Sequence, residues 1–227
     1  MSGVGMMRFQ IGRAPRHDIL SAPASVLSGL SFDIKACRLC RDAPRYLPPL
    51  PNEPNPVCVA SQTARIVICG QAPGIRVHNT GIPFNDPSGD RLREWLGVDR
   101  DTFYNPDLFA VVPMGFCFPG YDKHGGDLPP RKECRETWHD RVFAAMPQIE
   151  LVLAIGQYAQ SYHLGKRRGA NMTDTVLRWQ DYFNPATGPS ILPLPHPSWR
   201  NNVWLRKNPW FGENVLPVLR EKVKNLI

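Results

Sequence analysis

The sequence predicts an α/β protein, a three-layer α/β/α sandwich around a central, mainly parallel four-stranded sheet. Three observations carry this. Four short runs are continuously apolar, without the alternation of a half-exposed strand, as expected for parallel strands covered on both faces. Helical patterns lie between them, and strand followed by helix, repeated, builds layers. Each run also leads directly into a distinctive polar or glycine-containing segment. In such sheets, ligands collect at the carboxyl ends of the strands.

The first strand is Ile66-Val67-Ile68-Cys69, followed by Gly70-Gln71-Ala72-Pro73-Gly74. A helix follows, with Ser88 as a possible cap, Leu92, Trp95 and Leu96 on one face, and Gly97 at its end. The second strand, Phe109 to Val112, leads into Gly115-Phe116-Cys117-Phe118-Pro119. Residues 131–146 then place Cys134, Trp138, Val142 and Ala145 on one helical face. The third strand, Leu151 to Ile155, runs into a short helix from Gly156 to Leu164. The fourth, Ile191 to Leu194, leads into His196-Pro197-Ser198-Trp199-Arg200-Asn201. Asn208 to Ile227 closes the chain helically, with Val215, Leu219, Val223 and Leu226 facing inward and Pro217 forcing a kink or a late start. Residues 1–30 read as an arm or a peripheral helix, and 31–227 as a single domain. Six prolines between Pro44 and Pro56 make that stretch an extended connection.

The 227 residues carry 27 Lys and Arg against 20 Asp and Glu, a net charge of +7. That balance suits a polyanionic partner or a basic enzyme. The first dozen residues lack the apolar core of a signal peptide, and the longest apolar run, Leu108 to Phe118, holds Pro113 and Gly115. An intracellular, cytoplasmic monomer is expected, where thiols stay reduced and the six cysteines need a role other than disulfides. Cys37 and Cys40 form a CxxC pair, and Cys117 and Cys134 a wide second pair. Zinc, redox chemistry, an iron–sulfur centre and unrelated buried thiols all remain open on spacing alone, although a zinc ribbon prefers two close pairs.

These motifs, in this order, resemble the uracil-DNA glycosylase superfamily. The carriers are GQAPG after the first strand, GIPF before a helix, FCFPG with a further cysteine separated from Cys117 by 16 residues, and a late HPSWRN. The frame is most similar to the iron–sulfur, family 4-like branch. D-x-S-G at Asp86 resembles family 5, and HPSWRN resembles the single-strand-selective branch. The resemblance implies a monofunctional DNA repair hydrolase that removes uracil from DNA and leaves an abasic site. It also implies a 4Fe–4S cluster on Cys37, Cys40, Cys117 and Cys134.

Residue by residue, the resemblance makes Phe84 the aromatic that stacks on the flipped base. It makes His196 the donor to the base oxygen where negative charge develops. Gly70, Ala72, Pro73 and Gly74 shape the loop around the base. Ser198, Arg200 and Asn201 sit on the loop that meets DNA. Water activation falls to Asp86 or Gln71. Asp86 can equally be a helix cap. The chain departs from the family in four places, one being the carboxylate usual just after the first loop, where Ile75, Arg76 and Val77 stand. Gln71 replaces the loop acid of family 4, Ala72 stands where GQDPYH-type enzymes carry aspartate, and Pro113 occupies the place of a base-reading asparagine. Two alternatives follow. One is a glycosylase for another deaminated base, hypoxanthine or xanthine. The other is a non-catalytic iron–sulfur protein that binds nucleic acid. Trp199, Trp204 and Trp210 are spaced too irregularly for a stacking ladder and read mostly as packing.

Overall fold

A computed structural model describes residues 24–227. The sheet has four strands, β1 (Ile66–Cys69), β2 (Phe109–Val111), β3 (Leu151–Ile155) and β4 (Ser190–Leu194). Their order is β2-β1-β3-β4, and all three pairings are parallel. Every strand residue is buried, as the unbroken apolar runs require.

Successive strand side chains point to opposite faces, and each face has its own core. Val67, Cys69, Val152 and Ala154 pack with Leu27, Leu30, Trp138 and Val142 on one side. Ile66, Ile68, Leu151 and Leu153 pack with Leu92, Trp95, Leu219 and Val223 on the other. This double burial is the three-layer arrangement. The edge of β2 is covered in part by an antiparallel bridge between Val59 and Val111.

The helices follow the sequence closely, with local differences. The Pro87–Leu96 helix is capped by Asp86, whose side chain accepts from the Gly89 N–H, and not by Ser88. Pro87 therefore takes the first helical turn, where its missing N–H costs nothing, and Gly97 ends the helix in the left-handed conformation. The 131–146 pattern is helical but interrupted. Lys132–Cys134 passes through a π-turn at Arg135–His139 into Asp140–Ala144. The carboxy-terminal helix passes from a π-turn at Phe211–Val215 into Leu216–Lys224, with Pro217 in the first turn of the latter. Of the expected arm, residues 1–23 lie outside the described residues. The Ala24–Lys35 helix buries Leu27, Leu30 and Ile34. Among the described residues no helix is long and apolar enough to cross a membrane.

Candidate active site

The carboxyl end of β1 opens into the Gly70–Gly74 loop, which is fastened to the exit of β2. Met114 N–H donates to the Gly70 carbonyl and Gly115 N–H to the Gln71 carbonyl, both at 2.9 Å. The Gln71 side-chain nitrogen donates to the Leu128 carbonyl at 3.1 Å. Its nitrogen is thus committed to a neighbouring segment, which leaves the amide oxygen as the end that can hold a water. Pro73 is buried, and Gln71, Ala72 and Gly74 are half-buried.

Phe84 lies over this loop. A Cβ on Gly70 would meet the Phe84 ring at 3.6 Å. Phe84 has φ +54°, a left-handed backbone that a bulky residue rarely adopts. Such strain costs about 1–3 kcal/mol and persists only where the surroundings fix it. Three supports do so here. Tyr104 Oη donates to the Phe84 carbonyl at 3.2 Å. The ring meets Phe103 edge-on at 6.1 Å. Gly89 leaves room for the Phe84 carbonyl, which a Cβ there would meet at 1.7 Å.

His196 leaves the carboxyl end of β4. Its Nδ1 accepts the Ser198 N–H at 3.2 Å. A backbone N–H can only donate, so Nδ1 carries no proton and the neutral ring keeps its proton on Nε2. Burial lowers the imidazole pKa, with Asp86 pulling it up and Arg200 pushing it down. The ring is therefore a neutral donor at neutral pH. Asp86 is near enough for its charge to act on His196, although its Oδ1 is occupied by the Gly89 N–H at 2.9 Å.

The loop after His196 is braced from both sides. Asn201 donates its side-chain amide to the His196 carbonyl at 2.7 Å, and Arg91 donates to the Ser198 carbonyl at 3.1 Å. Asn201 thus shapes the loop through that bond, in addition to any part in meeting DNA. Arg91 was not singled out by the sequence, because only the fold brings the Pro87–Leu96 helix beneath this loop. Of the three tryptophans, Trp204 and Trp210 pack against Phe211, and Trp204 also bonds Thr173. Trp199 is not packing. It is 73% exposed, with the Arg200 guanidinium 5.9 Å from its ring centre.

The structure also brings together two pairs of cysteines. Cys37, Cys40, Cys117 and Cys134 line one cavity, walled by Leu50, Pro54, Pro56 and Phe116. The neighbouring Cys134 chiefly lowers the Cys40 thiol's pKa, and burial pushes the Cys117 thiol up to about 12. Phe116 N–H points at the Cys134 sulfur at 3.4 Å. Arg131 pairs with the buried Glu133 at 2.7 Å beside Cys40. Among the described residues no three His, Cys, Asp or Glu are grouped to hold a metal ion. The four sulfurs nonetheless match the donor set of an iron–sulfur cluster, soft thiolates in an apolar wall. Cys58 and Cys69 do not line this cavity.

Compared with known families, residues 59–220 match the profile described as "Uracil DNA glycosylase superfamily". The matched span holds Gln71, Phe84, Asp86, Cys117, Cys134 and His196, and leaves out Cys37 and Cys40.

Proposed function

Because the chain belongs to the uracil DNA glycosylase superfamily, we propose that it removes uracil from DNA by hydrolysing the N-glycosidic bond. The observation that carries this reading is His196, locked by Ser198 as an Nε2–H donor. A base leaving as an anion needs such a donor at its developing negative oxygen, and a preorganised one costs no reorganisation. A cation there would be less selective and would titrate in the working range. The half-buried imidazole, its pKa lowered by desolvation, donates as a neutral group.

The other residues divide the remaining work. The flipped base stacks on Phe84, whose ring is fixed by the strained backbone and by Phe103. Backbone N–H groups of the Gly70–Gly74 loop supply further donors. Asp86 sets a negative charge near the sugar while capping the helix, and the Gln71 amide oxygen offers a place for water. Trp199 and Arg200 form the exposed tip that meets DNA, with Ser198 and Asn201 holding its shape. Cys37, Cys40, Cys117 and Cys134 would hold a 4Fe–4S cluster. When bound, the cluster would cross-link the amino-terminal segment to the β2 exit loop, and glycosidic hydrolysis asks no electron of it.

A second reading concerns the base. Pro113 stands at the β2 exit, with its carbonyl 3.0 Å from His139 Nε2. Proline offers no side-chain amide to read a uracil edge, which favours hypoxanthine or xanthine as further substrates. Oligonucleotides carrying uracil, hypoxanthine or xanthine, incubated with the protein and then treated with alkali, test both. Strand cleavage at uracil is expected. Cleavage only at a purine would move the substrate to the second reading, and cleavage at none would reject a glycosylase.

A further inference from the structure

The first loop has no acid, and Asp86 gives one carboxylate oxygen to a helix cap. A carboxylate from another segment lies beside the first loop. Between β2 and the Lys132–Cys134 helix the chain forms a closed hairpin. Tyr121 bridges Asp127, Leu128 N–H donates to the Gly120 carbonyl at 2.9 Å, and Asp122 Oδ1 accepts the N–H groups of His124 and Gly126. Gln71 ties this hairpin to the first loop by its bond to Leu128, the residue after Asp127. Asp127 then lies against the last glycine of that loop. A Cβ on Gly74 would sit 3.7 Å from Asp127 Oδ2. Asp86 and Arg200 act electrostatically on Asp127, and the same two groups act on His196. Asp127 and His196 therefore share their charged neighbours at the carboxyl end of the sheet.

We propose that Asp127 is the carboxylate that orients and deprotonates the attacking water. The proposal rests on the glycosylase reading above. The water oxygen forms a bond to C1′ of the sugar as the C1′–N bond breaks. The electron pair of that bond leaves with the base, held by His196 Nε2–H, and the proton of the water passes to Asp127. The base anion takes a proton from solvent as it is released. Asp127 keeps an exposed surface, and its partial desolvation, opposed by Arg200 and assisted by Asp122 and Asp86, raises its pKa. This is the direction a general base needs.

Single-turnover base release by the full chain tests this, with the substrate the wild type cleaves, for wild type, Asp127→Asn and Asp127→Ala. Asp127→Asn should slow release about 10²-fold or more, keep DNA affinity within about threefold, and remove the acid limb of the pH–rate profile set by this carboxylate. Added formate should restore part of the rate to Asp127→Ala. A rate for Asp127→Asn within threefold of wild type overturns the proposal. So does a loss confined to DNA affinity, which would make Asp127 a brace for Arg200. A wild type that releases no base rejects the glycosylase reading itself, and the proposal with it.

Discussion

Gly89→Ala tests how the Phe84 shelf is built. Position 89 lies in the Pro87–Leu96 helix, where alanine is intrinsically better than glycine by about 1 kcal/mol. Packing reverses the sign. The new Cβ would fall 1.7 Å from the Phe84 carbonyl oxygen, 2.7 Å from its carbon and 2.9 Å from its Cβ. Since non-bonded atoms rarely approach within about 3 Å, the Phe84 carbonyl must retreat by more than about 1 Å. That retreat breaks the Tyr104 hydrogen bond and lifts the ring from Gly70. Overpacking of this kind costs about 1–3 kcal/mol, and a 1 Å misplacement at a reacting centre can cost about 10² in rate. Urea unfolding and single-turnover base release measure the two effects. Gly29→Ala is the control, because it lies in the Ala24–Lys35 helix and a Cβ there meets nothing within 4 Å. The control should be at least as stable as wild type and fully active. A Gly89→Ala protein with wild-type stability and rate would refute the role given to Phe84.

Three other outcomes are expected. Protein purified without oxygen should be brown and carry about four irons per chain; Cys37→Ser or Cys134→Ser should bleach it and Cys58→Ser should not, while one zinc and no iron would reject the cluster. Asp86→Ala should lose about 1 kcal/mol as a lost cap, whereas Asp86→Asn should keep the cap and, without the charge, shift the His196 titration by NMR to lower pH. Burial lowers His196 and His139 and takes His163 to about 3, so the unfolded chain gains protons below about pH 6.5 that the folded chain refuses. Stability from these groups is present above that pH and should fall by about 1.4 kcal/mol per unit for each histidine as the pH drops toward its folded value; denaturant titrations of wild type and His163→Phe should show the smaller slope in the variant.

The sheet was legible because parallel strands buried on both faces must be apolar throughout, and Ile66–Cys69 and Leu151–Ile155 have the bounds expected of them. The carboxyl-end rule placed the Gly70, Gly115 and His196 segments at one end of the sheet, and the first two meet through the Gly115 N–H on the Gln71 carbonyl; Phe84 entered only through the family resemblance. What escaped the sequence depends on side chains meeting across the fold. Ser88 and Asp86 are both good caps by type, and only the backbone decides between them. Asn201 looks like a DNA contact until its amide is seen on the His196 carbonyl. Asp127 lies far from the first loop in sequence, and Gln71 brings its hairpin there through a single bond. Trp199 could not be told from Trp204 by spacing, since exposure is set by the loop that carries it.

The most direct measurement of the central claim is the rate of free-base release from uracil-containing DNA by wild type and His196→Ala under single-turnover conditions. Wild type should release uracil and leave an alkali-labile site, and His196→Ala should be slower by about 10²–10³ with DNA affinity preserved. Replacing uracil by 5-fluorouracil, a better leaving group, should restore part of the loss. Equal rates for the two proteins would contradict the assignment of His196 as the donor to the departing base.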